Sequence, residues 1–139
     1  MATRWARAIA AKTERPNVRH TRGARAEAAV REHLTDGGFF VEGQNVRFGA
    51  LEIDIIARRA DLLVACEVRY RSGVGVRGPL ASITHEKRQR ILRAARLLYD
   101  ARVKTDPTIR RFRIDVAVVH FGPAGDRVEY FPGAITADA

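Results

Sequence analysis

The sequence contains only one cysteine and no long hydrophobic run. Without a second cysteine, Cys66 cannot form an internal disulfide, and a thiolate zinc cluster is excluded. The longest apolar runs, 62–66 and 116–119, are far shorter than the ~20 residues of a helical membrane span. These two absences favour a protein of the reducing cytoplasm with no segment in a membrane.

Acidic residues are also few, with 16 Asp and Glu against 25 Lys and Arg, which leaves a net charge of +9. Such an excess of positive charge attracts polyanions, so nucleic acid is the leading partner. The alternative is that the arginines only solvate helix faces. Aromatic residues make up 7% of the chain, too few for an extended base-stacking surface, and Trp5 and Tyr70 are the two candidates for stacking on bases.

The first 21 residues form a basic segment. Five cations stand there against Glu14, and the long apolar stretch of a signal peptide is missing. Residues 1–21 are therefore either a flexible tail or an arm that contacts phosphates. Residues 22–131 show no change of composition and predict one domain, followed by a tail at 132–139.

Hydrophobic periodicity across this domain predicts the order helix, strand, strand, strand, helix, strand, strand. The first three strands are expected to form an antiparallel meander. The predicted helices span 23–36 and 83–103, and the predicted strands span 39–47, 51–58, 62–70, 112–120 and 127–131.

Two acids are predicted to face each other in the second hairpin of this meander. A turn at Ala60-Asp61 places Asp54 across from Glu67, and Glu52 across from Arg69. The apolar residues are then expected to share the opposite face, with Leu51, Ile53, Ile55 and Ala57 on one strand and Val64, Cys66, Val68 and Tyr70 on the next.

Adjacent carboxylates repel each other, which indicates a cation between them. Oxygen ligands without histidine or thiolate favour Mg²⁺ or Mn²⁺ over zinc. The alternative is a solvated strand face on which each acid pairs with a nearby base.

One residue on each predicted helix adds to this site. Glu27 lies on the apolar stripe of the first helix, where an unpaired carboxylate is costly, and Lys87 lies on that of the second. Either side chain can extend to the edge of its helix instead. Together they bring a third acid and a cation toward the acidic hairpin.

Several segments, taken in order, resemble the YraN family of small bacterial proteins. That family is similar to Holliday-junction resolvases and other nucleases of the restriction-endonuclease-like PD-(D/E)xK fold. The resemblance covers about residues 23–131 and implies an α/β fold with a mixed sheet flanked by helices. Its segments are GARAEAAVREHL, GGFFVEGQNVR, LEIDIIA, LLVACEVRYR, HEKRQRILRAARLLY and RFRIDVAVV.

The resemblance implies that Asp54 and Glu67 bind the metal together with the backbone carbonyl of Val68, and that Glu27 is a helix-borne acid of the site. The activity it implies is Mg²⁺-dependent endonucleolytic hydrolysis of phosphodiester bonds, with branched DNA in repair or recombination as a candidate substrate. DNA is favoured over RNA, and a homodimer is left open.

The sequence departs from the nuclease pattern at two positions. Arg69 stands where most such nucleases have lysine, and Leu51 where the family usually has glycine. An arginine can hold a phosphate but is a poor general base, because it is practically never deprotonated. Lys87 is the candidate substitute, and a catalytically inactive nucleic-acid-binding module is the alternative function.

The remaining motifs are weaker. Residues 73–78 match the GxGxxG pattern of nucleotide-binding loops, but Pro79 separates them from the following helix. This loop is better interpreted as lying beside a substrate, with Arg71 and Arg77 contacting nucleic acid. Cys66 is expected in the core, and Asp115 is expected to meet an arginine of a helix.

Overall fold

A computed structural model describes residues 21–72, 78 and 80–137 of the chain. The predicted basic arm at 1–21 lies outside the described residues except for Thr21, and so does Arg77. Both remain predictions.

The predicted order of elements is confirmed. Each helix begins at a threonine whose hydroxyl accepts a backbone N–H: Thr21 caps α1 and Thr84 caps α2. The elements are α1 (Arg22–Asp36), β1 (Phe40–Phe48), β2 (Leu51–Arg59), β3 (Leu62–Ser72), α2 (His85–Leu98), β4 (Arg111–Phe121) and β5 (Arg127–Ile135).

The second helix differs from the prediction of one helix over 83–103. After Leu98 the chain continues as a π-helical turn, Tyr99–Val103. This wider turn carries Arg102 into the interior, where it forms ion pairs with Glu42 and Asp106. β5 also continues beyond its predicted end at residue 131.

The five strands form one mixed sheet in the order β1-β2-β3-β4-β5. β3 and β4 are parallel and are connected through α2, whereas the other neighbours are antiparallel. The turn at Ala60-Asp61 is present, with Ala60 in the left-handed region at φ 53°. The antiparallel meander of the first three strands is therefore confirmed.

Both faces of this sheet are apolar, so the expectation of a single apolar face in the hairpin is wrong. One face packs against α1 and the other against α2, because a parallel strand pair with a helical crossover is covered on both sides. The residues toward α1 include Ile55, Ala57, Val64 and Cys66, and those toward α2 include Ile56, Leu63 and Ala65.

Ile53 packs with the α2 group and not with Ile55. The β2–β3 pairing ends at Ile55, and beyond this point β2 is hydrogen-bonded to β1 alone. The end of the ladder therefore coincides with a change in the direction of the β2 side chains, and it also positions the acidic residues.

Within the described residues, neither helix is long and apolar enough to cross a bilayer.

Candidate active site

The candidate site lies where β2 and β3 separate. Their ladder runs from Arg59 and Leu62 to Ile55 and Cys66, and Asp54 and Glu67 are the next positions in the same register. The backbone N–H of Val68 donates to Asp54 Oδ2 at 2.8 Å. A side-chain carboxylate thus accepts the hydrogen bond that a strand carbonyl would otherwise take, and the two predicted acids are brought together.

The Asp54 carboxyl group lies close enough to Glu67 for its negative charge to act on the titration of Glu67. The pKa of Glu67 is raised to about 8, chiefly by burial and also by the negative charge of the neighbouring Asp54, while Lys87 opposes the shift. Burial likewise raises the pKa of Asp54. With its pKa at about 8, Glu67 holds a proton near neutral pH in the absence of another cation.

Lys87 is the cation that α2 contributes. Its ammonium Nζ lies 3.6 Å from Glu67 Oε1, and its side chain is 39% exposed whereas Glu67 is 7% exposed. The helix places Lys87 on the stripe that faces the sheet, as predicted, and its exposed end can still meet a ligand.

Glu27 approaches from α1. Its carboxylate accepts a hydrogen bond of 2.8 Å from the Asn45 side-chain amide. Burial raises the pKa of Glu27, and the negative charges of Asp54 and Glu52 add to this effect. Glu27 therefore belongs to the electrostatic environment of the site while Asn45 holds one of its oxygens.

Sequence reasoning missed Asn45. Its φ of 50° is rare for a residue with a side chain, and asparagine tolerates this conformation better than most. An asparagine within an otherwise regular strand pattern was the available signal.

Arg69 does not lie opposite Glu52, so this expectation is wrong. The ladder ends before these residues could pair, and Glu52 instead forms an ion pair with Arg47 at 3.3 Å. The Arg69 guanidinium donates to the Ser82 hydroxyl at 3.3 Å and to the Ser82 carbonyl at 3.4 Å. Arg69 thus connects β3 to the segment before α2, and Arg71 is half-buried further along β3.

A cavity of about 10 Å³ adjoins the acidic pair, which is close to the space that one water molecule needs. Its polar side chains are all acids, Glu52, Asp54 and Glu67. Among the described residues, no group of three or more His, Cys, Asp or Glu side chains is arranged to hold a metal ion. Two carboxylates with remaining positions for water or phosphate are nevertheless a common protein contribution to Mg²⁺ binding.

Asp115 belongs to a separate network. It is completely buried, and its carboxylate accepts two hydrogen bonds from Arg113, at 2.7 and 2.9 Å. The Gly133 N–H and the Tyr130 hydroxyl also donate to it. Its arginine partner is on its own strand and not on a helix as expected, because two residues along β4 bring the side chains to one face. Cys66 lies in the core as predicted.

The sequence profile of the uncharacterised protein family UPF0102 matches residues 26–119. A UPF0102 protein of Sorangium cellulosum is 38% identical over 110 residues, covering 79% of this chain and 76% of that protein. One from Symbiobacterium thermophilum is 40% identical over 74% of this chain and 85% of its own length. One from Cupriavidus taiwanensis is 38% identical over 91% of each chain.

A solved structure, that of Pyrococcus furiosus SfsA in complex with Ca²⁺, is similar over 82% of this chain and 65% of that chain, just under two thirds of its length. The TM-score is 0.36 and the sequence identity is 13%.

Proposed function

The chain belongs to the UPF0102 family, the group that the resemblance to YraN identified, and we propose that it is a metal-dependent endonuclease that hydrolyses phosphodiester bonds in DNA. The positive net charge supports a nucleic-acid substrate, and the arrangement of acids at the β2–β3 separation supports hydrolysis.

The observation that carries this proposal is the Asp54–Glu67 pair, in which Glu67 is buried and Asp54 half-buried. Placing two carboxyl groups together away from water opposes folding unless a proton or a cation compensates. The proton on Glu67 and the positive charge of the nearby Lys87 offset only part of this cost. Such an arrangement is costly for a purely structural hairpin and suitable for a divalent cation.

In the proposed function, Asp54, Glu67 and the Val68 carbonyl hold Mg²⁺ or Mn²⁺. A bound divalent cation supplies Lewis-acid chemistry, since it withdraws charge from a phosphate oxygen and makes a neighbouring water more acidic. Glu67 must lose its proton to bind a cation. The proximity of the two carboxylates then becomes favourable.

The surrounding residues act on the phosphate and on water. Lys87 neutralises charge on the phosphate and replaces the lysine that is missing at position 69. Arg69 holds a phosphate from the side of Ser82. Glu27, held by Asn45, orients water at the edge of the site, and Arg71 and Arg77 contact the nucleic-acid backbone.

The second candidate is a nucleic-acid-binding module of the same fold without turnover. Arg69 favours it, because an arginine cannot take a proton from water. The adjacent carboxyl groups of Asp54 and Glu67 favour the enzyme, because binding of nucleic acid alone does not require two acids side by side.

The first prediction concerns metal dependence. The purified protein should cleave at least one of three labelled DNAs, a duplex, a branched junction or a single strand, in Mg²⁺ or Mn²⁺, and EDTA should stop the cleavage because the acids alone activate no water. Denaturing gel electrophoresis measures the products. Binding of all three DNAs without cleavage in either metal would support the module instead.

The second prediction concerns pH in EDTA. Because folding raises the pKa of Glu67, the folded chain binds more protons than the unfolded chain between about pH 4.5 and 8. The extra proton on Glu67 stabilises the folded chain by its full amount below the pKa that Glu67 has in the unfolded chain. This stabilisation is lost as pH rises to about 8. The slope for one proton is at most about 1.4 kcal/mol per pH unit.

Urea denaturation at several pH values, on wild type and Asp54→Asn, isolates this contribution. Asp54→Asn removes the neighbouring charge, so the difference in stability between variant and wild type should grow in favour of the variant as pH rises. A difference independent of pH would show that Asp54 does not raise the pKa of Glu67.

A further inference from the structure

An exposed tyrosine lies close to the candidate active site. Tyr70 follows Glu67 by three residues on β3 and is 46% exposed. Among the described residues, the other large hydrophobic side chains that are exposed to a comparable extent are Phe40, Leu97 and Tyr99. Tyr70 is the nearest of the four in sequence to Glu67.

The Tyr70 ring is supported from one side. It packs on Phe121 with ring centroids 5.6 Å apart and a tilt of 30°. The Arg25 guanidinium lies 4.4 Å from the centroid of Phe121, and Asp126 accepts a hydrogen bond of 2.7 Å from this arginine. A supported aromatic ring loses little conformational freedom when a ligand packs on its remaining surface.

The surroundings of Tyr70 also leave it accessible. The β2–β3 ladder ends at Cys66, so β2 is not hydrogen-bonded to the part of β3 that carries Tyr70. On the side of α1, Gly23 is close to the ring and contributes no side chain that covers it. The ring is thus open where the two strands have separated.

Glu67 and Tyr70 lie on opposite faces of β3, Glu67 toward α2 and Tyr70 toward α1, and both belong to the part of β3 that β2 no longer borders. Three residues of a strand span about 10 Å. Successive bases in a stacked strand are about 3.4 Å apart, and they are further apart when the strand is extended. A nucleic-acid strand that lies along this open edge of β3 therefore brings a nucleotide one to three positions from a phosphate at Glu67 to the level of Tyr70.

We propose that Tyr70 stacks on an unpaired base beside the candidate active site, so that the preferred substrate has single-stranded nucleotides next to the reacting phosphate. A tyrosine ring can stack on a base only if the face of that base is free, and within a duplex both faces are covered by neighbouring bases. This inference rests on the proposed function and adds a substrate class to it.

The test measures DNA binding by the full-length protein in EDTA, where no cleavage occurs. Fluorescence anisotropy follows a labelled oligo-deoxythymidine and a blunt duplex of equal length at one salt concentration. Tyr70→Ala should weaken binding of the single strand about 5- to 100-fold and change binding of the duplex less than about twofold. Tyr70→Phe keeps the ring and should bind the single strand about as well as wild type.

Tyr99→Ala is the matched control. Tyr99 is 40% exposed and also packs against a phenylalanine, Phe112, but it lies in the π-helical turn at the far end of α2. This variant should bind both DNAs like wild type. Equal weakening by Tyr70→Ala and Tyr99→Ala, or equal weakening of single strand and duplex by Tyr70→Ala, would overturn the stacking role.

The two proposals fail in different ways. If the wild type cleaves in Mg²⁺ but Tyr70→Ala binds the single strand normally, only the stacking role is wrong. If Tyr70→Ala selectively loses the single strand but no metal supports cleavage by wild type, the stacking role stands and the nuclease proposal is wrong. If the wild type binds neither DNA, both proposals are wrong.

Discussion

Asp54→Asn and Glu67→Gln should each abolish metal-dependent cleavage while the chain remains at least as stable as wild type. Each change removes one charged oxygen from the proposed metal site and preserves the shape of the side chain. A metal ion contributes several kcal/mol to stabilising the transition state, so its loss corresponds to about a 10³-fold slower reaction. Initial cleavage rates and urea denaturation measure the two effects.

Stability should not fall, because each substitution replaces a carboxyl group whose charged form is disfavoured by burial with a neutral amide. Asn at position 54 can still accept the Val68 N–H through its amide oxygen. Asp61→Asn is the control, since Asp61 is an exposed carboxylate on a turn, where it pairs with Arg111 at 2.8 Å. Cleavage that survives both Asp54→Asn and Glu67→Gln would show that the activity belongs to another site or to a contaminant.

Arg102→Met should lower the free energy of unfolding by about 3–5 kcal/mol. Arg102 is 3% exposed and forms an ion pair with the buried Glu42 at 3.3 Å, as well as one with Asp106. Removing the guanidinium leaves the Glu42 charge buried without this partner, which costs more than the lost attraction itself. Since domains of this size have a free energy of unfolding of about 5–15 kcal/mol, this loss is a large part of the total.

Urea denaturation and thermal melting measure this loss. Arg96→Met is the matched control, because Arg96 also pairs with an acid four residues away, Asp100, but its side chain is 76% exposed. That pair should contribute less than about 1 kcal/mol. Combining Arg102→Met with Glu42→Leu should recover part of the stability, since neither buried charge then remains. A loss below about 1 kcal/mol for Arg102→Met alone would show that Arg102 does not compensate the buried charge of Glu42.

The sequence predicted the elements and the acidic pair for a local reason. Strand alternation and the position of one turn determine which residues of a hairpin stand opposite each other, and Ala60-Asp61 was enough to align Asp54 with Glu67. Helical periodicity likewise placed Glu27 and Lys87 on the faces that meet the sheet. These features depend on residues near one another in the chain.

The incorrect expectations concern contacts that the local pattern does not contain. Glu52 was expected to meet Arg69, but the separation of β2 from β3 gave it Arg47 as a partner. Asp115 was expected to meet a helix arginine and instead binds Arg113. The apolar residues of the hairpin were assigned to one face because their alternation alone does not show that a second helix covers the other.

The sequence by itself determined the order of the helices and strands, the register of the acidic hairpin and the positive charge of the chain. Only the tertiary structure decided that Glu67 is buried beside a half-buried Asp54, that Asn45 holds Glu27, and that Arg102 lies between Glu42 and Asp106. Periodicity and turn residues act over a few positions, whereas desolvation and ion pairing depend on which distant segments close around a side chain. The altered pKa values and the proposed chemistry therefore follow from packing that no single segment encodes.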